Sequence, residues 1–560
     1  MNYRSAVIAA VAVIITMAAP FSVIDLTDAD DGSDVTMERC LNEPEMTGVY
    51  LWAWHISNMG EGGAEKLAKM YSAAGITDIY VLVKATDGLI YYQQNDLSNA
   101  PKDLEGDDDP LQDIIVAAHA ENIRVHAWIT CVMDDTYVET HPDEGMYHFN
   151  RGYGCSDVSF QSEDYRTYTV NIVKELCKNY DIDGLLLDHL RYSHMTYGWG
   201  ECDTELLMRS VDQGGYGLTA DEYNGLVVNL AKTYGYTIAL DDDGLYVSIN
   251  HAPAESTPIS YEADGTSMID AYLNGDKAVR AFALMRCDQI DDMAQTLYDL
   301  KRDDMDMSIS CMGETCEKDQ AFGALQYGQI LNNKYIFDYV APMLYSASFG
   351  EDSEWVAEML NNIDIGYDKY ASLQGFSEDE ATTDTCGLND DINATMSTKA
   401  NGYIIFRTGT FDIAKTDIDP NIGTMNITIC ENMLYWNHEK VIITVQNGMT
   451  VTEVRGGECF ADSDISVSDD GKTITVTDPN LDELGDMGTL EIEYSGNYVK
   501  TMHPAFVDII ADGESMIVWH NTDVADETGN NTLLAAASVI FAIIVVLIVL
   551  MLVMFFKKHQ

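Results

Sequence analysis

Between residues 45 and 425 the chain alternates β-branched and aromatic runs with amphipathic stretches, and this alternation restricts the fold more than any other feature. The apolar runs predict strands at Val49–Ile56, Ile76–Val83, Ile123–Ile129, Ile182–Leu187, Met307–Met312, Phe337–Leu344 and Gly402–Phe406. Strands separated by helices pair in parallel, so seven or eight such units predict an α/β fold, a (β/α)8 TIM barrel. A doubly wound open sheet is the alternative, but no glycine-rich phosphate turn follows the first strand.

Two stretches do not fit this repeat. Residues 193–274 are longer than a barrel connection needs and contain their own helical pattern at Ala220–Tyr234, so we predict an insertion over the C-terminal ends of the strands. From residue 426 short alternating runs are separated by turn residues and predict strands at Val441–Val445, Ile465–Val467, Ile474–Val476 and Leu490–Tyr494. The sequence therefore predicts a barrel over 45–425 and a small β-sandwich over 426–528, which we interpret as a stalk.

Both ends of the chain carry apolar segments. Residues 1–24 contain Arg4, an apolar run and small residues, which is typical of a secretory signal peptide. The uncharged run Leu533–Phe556 precedes Lys557 and Lys558, and this pattern predicts a transmembrane helix with its C-terminus inside the cell. We therefore expect a single-pass protein of the cell membrane, with most of the chain extracellular and a short cytoplasmic C-terminus.

The charge balance restricts the partners. The chain has 31 Lys and Arg against 92 Asp and Glu, a formal net charge of −61. Phosphate binding needs clustered basic residues, so we expect no nucleic-acid partner. The 11 cysteines are scattered without the spacing of a zinc site. We accordingly predict neither a metal nor another cofactor.

Two stretches and one residue pair carry a family resemblance. They are DDPLQDIIVAAHAENIRVHAWI at 108–129, the His141-Pro142 pair, and YDIDGLLLDHLRY at 180–192. There the chain resembles the glycosyl hydrolase-like family ten barrels, with weaker similarity at Arg286, 308–314 and 338–345. The resemblance implies a (β/α)8 fold and a carbohydrate-related role. The family usually has two acidic residues after the strand, whereas this chain has Asp188 and then His189.

The residues themselves point to a carboxylate pair. Catalytic groups of barrel enzymes lie where strands end, and Asp188 and Glu314 each follow a predicted strand. Two such carboxyl groups can cleave a glycosidic bond, one as nucleophile or base and the other as acid. We predict that Asp188 is ionised, because His189 and Arg191 follow it closely, and that Glu314 is the acid. Asp87 is a rival carboxylate, and a plain structural interpretation pairs Asp188 with Arg191 to fix a loop.

Other residues near predicted strand ends are candidates for binding a sugar, because rings stack on pyranose faces and polar groups bind hydroxyls. These candidates are Trp54, His55, Lys84, Asp87, His126, Trp128, Arg191, Tyr192, Tyr345 and Arg407. The predicted function is a cell-surface glycoside hydrolase that acts on a polysaccharide or glycan, with carbohydrate and membrane as partners. A catalytically inactive glycan-binding adhesin and an envelope scaffold protein remain open as alternatives.

Overall fold

The structure is a computed structural model, and it describes most of residues 44–521. The gaps are 150–151, 154, 235–237, 241–245, 248–256, 260–266, 332–335, 367, 377–384, 408–412, 420–422, 433–438, 446–447, 461–462, 482–483, 497–506, 512–513 and 516. The segments predicted as signal peptide (1–24) and transmembrane helix (533–556) lie outside the described residues. Within the described part of the chain, no helix has the length and apolar composition needed to cross a membrane.

Eight parallel strands close into a barrel. They are β1 (Met46–Trp52), β2 (Asp78–Lys84), β3 (Arg124–Thr130), β4 (Gly184–Asp188), β5 (Asp306–Met312), β6 (Tyr339–Leu344), β7 (Asp368–Gln374) and β8 (Gly402–Phe406). Consecutive strands are neighbours, and β8 closes the barrel on β1 through pairs such as Val49 with Ile405. The predicted TIM barrel is therefore confirmed, and the alternative of an open sheet is wrong.

Helices connect these strands and cover the barrel. They are α1 (Ala53–Met59), α2 (Gly63–Ala74), α3 (Pro110–Ala120), α4 (Asp135–Thr140), α5 (Glu163–Asn179), α6 (Glu201–Met208), α7 (Ala220–Tyr234), α8 (Met268–Leu273), α9 (Lys277–Tyr298), α10 (Ser346–Phe349), α11 (Ser353–Asn362) and α12 (Thr385–Met396). Local sequence sets several of their ends. Helix α3 begins with a proline after Asp109, whose side chain accepts a hydrogen bond from the Gln112 amide. Helix α2 ends at Gly75, whose φ of 82° suits a glycine C-cap.

Strand β1 is shorter than predicted. The apolar run continues to Ile56, but the strand ends at Trp52 and helix α1 begins at Ala53. Ala53, His55 and Ile56 are buried on that helix, so the apolar pattern continues through a change of secondary structure. Trp54 and His55 consequently lie on a helix at the end of β1 and not in the strand.

The interval between β4 and β5 is an elaboration with its own core. It contains α6 to α9 and a three-stranded antiparallel sheet formed by Ile238–Leu240, Tyr246–Val247 and Thr257–Ile259. The predicted helix Ala220–Tyr234 is confirmed as α7. A separate hydrophobic cluster, which includes Trp199 and Phe282, lies beneath these elements.

A buried arginine joins this elaboration to the loop after β4. The Arg286 side chain on α9 donates hydrogen bonds to the carbonyl oxygens of Tyr197, His194 and Gln326 at 2.7, 3.0 and 2.9 Å. Its guanidinium also lies 3.6 Å from the centre of the Tyr192 ring. Burial lowers the pKa of Arg286 to about 10, so the group remains a cation near neutral pH.

Two five-stranded sheets follow the barrel. Their strands are β9 (Ile413–Asp419), β10 (Thr424–Cys430), β11 (Lys440–Val445), β12 (Met449–Gly456), β13 (Asp464–Val467), β14 (Thr473–Thr477), β15 (Met487–Gly496), β16 (Val507–Ala511), β17 (Glu514–Ser515) and β18 (Ile517–Asn521). One sheet has the order β12-β15-β10-β9-β18, and the other has the order β13-β14-β11-β16-β17. Ile427 and Ile443 contribute to one core that the two sheets share. The four strands predicted in this region are present, and the exact domain limits stay a prediction.

Candidate functional site

A cavity of about 390 Å³ opens at the C-terminal ends of the barrel strands. Seven of its seventeen lining residues are aromatic: Tyr50, Trp52, Trp54, Tyr91, Trp128, Tyr345 and Phe406. Its main charged or titratable lining groups are Asp87, Asp188, His189 and Arg191. The described residues of the interval 193–274 contribute nothing to this lining. The structure thus brings together six of the predicted residues: Trp54, Asp87, Trp128, Asp188, Arg191 and Tyr345.

The rings of the cavity pack against one another in two groups. Trp52 and Trp54 stack with their ring centres 4.8 Å apart, and Tyr91 lies 5.2 Å from Trp54. On the other side Tyr345 stacks on Phe406 at 5.7 Å. Each of these rings is packed against a neighbouring ring, which holds the aromatic part of the wall in place.

Asp188 closes β4 and lies beneath the cavity. Its Oδ1 accepts hydrogen bonds from the His189 amide and from Arg191 Nη1, both at 2.7 Å. Its Oδ2 accepts one from Trp128 Nε1 at 3.2 Å. Burial alone would raise the pKa of Asp188, but the charges of His189 and Arg191 and the hydrogen bonds from these two residues lower it to about 2. Asp188 is therefore ionised near neutral pH.

His189 follows Asp188 in a left-handed backbone conformation, with a φ of 49°. Its ring lines the cavity, and among the described residues no hydrogen bond reaches its imidazole nitrogens. Burial, with a further contribution from Arg191, lowers the pKa of His189 to about 4. The sequence showed His189 only as a departure from the family pattern, so its place in the cavity wall was missed.

Glu314 lies beside the cavity but does not line it. It belongs to a short 3₁₀ turn, Gly313–Cys316, that follows β5. Its Oε1 accepts a hydrogen bond from the Tyr327 hydroxyl at 3.3 Å, whereas Oε2 is buried with no hydrogen-bond partner among the described residues. Burial raises the pKa of Glu314, and a backbone hydrogen bond, the Tyr327 hydroxyl and the nearby Arg191 cation partly offset this effect. Arg191 consequently acts on both predicted carboxyl groups.

Asp87 is the second carboxylate in the cavity wall. Its Oδ1 accepts a hydrogen bond from the Leu89 amide at 2.9 Å, which closes the turn after β2. Tyr91 also lines the cavity, and burial together with the charges of Asp87 and Asp103 raises its pKa to about 12. The rival carboxylate of the sequence analysis thus lies in the cavity, where Glu314 does not.

Two predicted binding residues lie in the barrel interior, away from the cavity lining. Lys84 is fully buried and pairs with Asp134 at 3.1 Å, and it also donates to the Thr130 carbonyl. His126 Nε2 lies 2.7 Å from Asp78 Oδ1, at the N-terminal end of the strands. Lys84 and His126 Nε2 contact carboxylates of the protein, and neither side chain lines the cavity.

The remaining three predicted residues lie behind or beside the wall. Tyr192 is buried under the Arg286 guanidinium. His55 is buried with its ring centre 5.3 Å from that of Trp52, and burial lowers its pKa to about 4. Arg407 lies over the same Trp52 ring, 3.9 Å from its centre. His55 and Arg407 therefore affect the cavity through Trp52.

The barrel and its cavity match a known family. Residues 48–370 match the family model described as "Putative glycosyl hydrolase domain". The chain belongs to this family. The matched residues cover six of the eight barrel strands in most or all of their length and the first three residues of β7, and they include Asp87, Asp188 and Glu314. The narrower assignment to family ten stays a prediction.

Solved structures of glycoside hydrolases are also similar to the chain. The glycoside hydrolase domain of PgaB (BpsB) from Bordetella bronchiseptica is 14% identical, with 65% of this chain and 94% of that one covered and a TM-score of 0.45. The catalytic domain of β-amylase from Paenibacillus polymyxa is 11% identical, with coverages of 65% and 92% and a TM-score of 0.42. A β-galactosidase from Halorubrum lacusprofundi is 14% identical, with coverages of 65% and 52% and a TM-score of 0.39. The comparison with curated proteins gave no match.

The cavity of the matched domain contains several groups that can exchange protons. Among the described residues no three His, Cys, Asp or Glu side chains are grouped so that they could hold a metal ion. The cavity instead combines an ionised carboxylate, an imidazole, a second carboxylate and several rings. These groups can bind a sugar, stabilise positive charge at its anomeric carbon and transfer protons.

Proposed function

We propose that the protein is a glycoside hydrolase that cleaves a glycan in the cavity at the barrel mouth, with Asp188 as its ionised carboxylate. The observation that carries this proposal is the environment of Asp188. A buried carboxylate with a pKa of about 2 lies at a strand end below an aromatic cavity. A negative charge held there stabilises the oxocarbenium-like transition state of glycoside cleavage.

The hydrogen bonds of Asp188 leave one oxygen available for chemistry. Oδ1 accepts two hydrogen bonds and Oδ2 accepts only the one from Trp128. A carboxylate oxygen accommodates about two such contacts, so Oδ2 retains a lone pair. Oδ2 is therefore the atom that we assign to the anomeric carbon, either as a nucleophile or as an electrostatic partner.

The second carboxyl group remains a choice between two residues. Glu314 is the predicted acid, and its raised pKa beside the lowered pKa of Asp188 is the separation that such a pair needs. Asp87 is the alternative, because it lines the cavity directly. We retain Glu314 as the proposed acid and test Asp87 beside it.

We also propose that this activity serves a cell-surface protein. The support is the sequence alone: the pattern of a signal peptide at 1–24 and the apolar run Leu533–Phe556 before two lysines. In this proposal the β-sheets after the barrel form the stalk, and the substrate is a polysaccharide or glycan outside the cell.

A second candidate function is glycan binding without cleavage. Its support is the position of Glu314 outside the cavity lining, together with an aromatic wall that would bind sugar rings in any case. A protein of this kind would hold a glycan over Asp188 and release it unchanged.

The deciding experiment measures hydrolysis of purified polysaccharides and aryl glycosides by the wild type and by single variants. We expect Asp188→Asn to reduce kcat/KM by about 10³-fold, because it removes the charge that stabilises the transition state. Glu314→Gln and Asp87→Asn are compared in the same assay, and the exposed Asp181 supplies the matched control Asp181→Asn. Glycan binding by the wild type without product would instead favour the second candidate function.

A further inference from the structure

His189 lines the cavity but has no role in the carboxylate pair proposed above. Its imidazole lines the cavity, and no hydrogen bond from the described residues occupies either ring nitrogen. This distinguishes it from His126 and His148, whose rings are hydrogen-bonded to Asp78 and Thr196. An imidazole with unoccupied nitrogens in a cavity wall can accept a proton from a ligand or from water.

The backbone holds the ring in this position. His189 has a φ of 49°, in the left-handed region that only a few per cent of residues other than glycine adopt, among them histidine, asparagine and aspartate. Its amide donates to Asp188 Oδ1, so the carboxylate and the turn of the chain fix each other. The imidazole therefore belongs to the residue immediately after Asp188, the carboxylate that we assign to the anomeric carbon.

We propose that His189 is the general base that takes the proton from the water molecule attacking the anomeric carbon. The inference rests on the proposed hydrolase function.

The step balances as a single displacement, in which Asp188 acts as the electrostatic partner and not as the nucleophile. A water O–H bond breaks and its proton moves to the imidazole, while the water oxygen forms a bond to the anomeric carbon. The glycosidic C–O bond breaks, and its oxygen takes a proton from the acid carboxyl group of the proposed pair. The imidazolium then loses its proton to solvent and the acid regains one, so the net reaction is hydrolysis.

The charges around the ring suit a base. Burial, Arg191 and Lys84 lower the pKa of His189 to about 4, so the ring is neutral and ready to accept a proton above that pH. The charge of Lys84 is paired with Asp134. Asp188 acts in the other direction and stabilises the imidazolium once it has formed, as a carboxylate does beside other catalytic histidines. Asp87 is the further carboxylate of the cavity wall.

The test compares two substitutions that tolerate a left-handed backbone. His189→Asn removes the base, and we expect kcat/KM to fall by about 10²- to 10⁴-fold. His189→Asp supplies a carboxylate base and should recover at least tenfold of that loss. In the wild type, kcat/KM should fall about tenfold for each pH unit below 4, and His189→Asn should lose this dependence. The exposed His141 provides the matched control His141→Asn.

A small anion provides a readout that a purely structural role would not give. Azide needs no base, so added azide should restore turnover of His189→Asn and yield a glycosyl azide of inverted configuration. A kcat/KM of His189→Asn within twofold of the wild-type value would overturn the inference. So would equal losses for the Asn and Asp variants without azide rescue. A wild type that hydrolyses no substrate would instead overturn the proposed function itself.

Discussion

Two buried aspartates, each close to a histidine and an arginine, lie at opposite ends of the same barrel. At the N-terminal end Asp78 contacts His126 Nε2 at 2.7 Å, Arg124 Nε at 2.8 Å and the Thr77 hydroxyl at 2.6 Å. At the C-terminal end Asp188 contacts Arg191 and Trp128, while the imidazole of His189 turns toward the cavity. The residue types are similar at the two ends, but their partners differ.

The difference lies in what the histidines do. His126 is fully buried, and it is hydrogen-bonded to Asp78 and stacked on Tyr80 with ring centres 4.5 Å apart. The imidazole of His189 makes no hydrogen bond to Asp188, which accepts from Arg191, Trp128 and the His189 amide. Among the described residues no hydrogen bond reaches the two ring nitrogens of His189. A closed polar cluster stabilises the fold, whereas an open one can exchange protons with a substrate. The two ends should therefore respond differently to the loss of one charge.

The largest effect is expected at the closed cluster. Asp78→Asn leaves His126 and Arg124 without their common anion, so we expect the free energy of unfolding to fall by about 3 kcal/mol. The measurement is urea unfolding at pH 7. Asp306→Asn is the matched control, since this more exposed aspartate binds the same Arg124 and its loss should cost less than about 1 kcal/mol. Equal decreases in the free energy of unfolding of Asp78→Asn and Asp306→Asn would contradict the view that the Asp78 cluster stabilises the fold.

A smaller effect is expected at the open end, and it depends on pH. The pKa of Asp188 is about 2 in the fold, below the value of about 3.9 for an unfolded chain. A lowered pKa adds stability above the unfolded value and loses it as pH falls toward 2. We therefore expect the free energy of unfolding of the wild type to be about 2 kcal/mol higher than that of Asp188→Asn at pH 7. This difference should shrink between pH 5 and pH 2. Urea unfolding of both proteins across this range tests it, and a difference independent of pH would refute the assignment.

The smallest effect is expected at the aromatic wall. Trp54→Ala removes a half-buried ring that stacks on Trp52, and we expect KM for a cleaved glycan to rise about tenfold, equivalent to about 1.4 kcal/mol. kcat should change less than twofold, because Trp54 touches no group that transfers a proton. Tyr153→Ala is the control, since Tyr153 is an exposed aromatic residue outside the cavity. A fall in kcat with unchanged KM would show that Trp54 orients the reacting groups instead.

Strand β7 shows why sequence patterns gave most, but not all, of the barrel. Its segment DKYASLQ contains Lys369 and Ser372, and the polar residues hide the strand pattern. The Lys369 ammonium donates to the Leu360 and Ile363 carbonyls, and Ser372 shares a 2.8 Å hydrogen bond with the Tyr50 hydroxyl. These partners are supplied by the tertiary fold. A sequence pattern alone does not contain them.

The candidate site shows the same limit. Asp188 was predictable because it ends an apolar strand and is followed by Arg191. Lys84 also ends a strand, but its charge is neutralised by Asp134, fifty residues away in sequence. From the sequence, His189 is only a residue that stands where the family has an acid. Its position in the cavity wall depends on the tertiary structure, which a sequence pattern does not contain. Positions along strands were thus predictable, while pairings between strands were not.

Arg286 has a consequence for moving this site to another protein. The loop that begins with Asp188 is held by the Arg286 side chain of α9, almost a hundred residues later in the sequence. Arg286 donates hydrogen bonds to the carbonyl oxygens of His194 and Tyr197 in this loop and to that of Gln326 after β5. A graft of β4 and its loop onto a foreign barrel would bring the reactive groups without this anchor. The portable unit is therefore the loop together with α9, and trimming the elaboration between them would change the geometry of the proposed site before it changed the barrel.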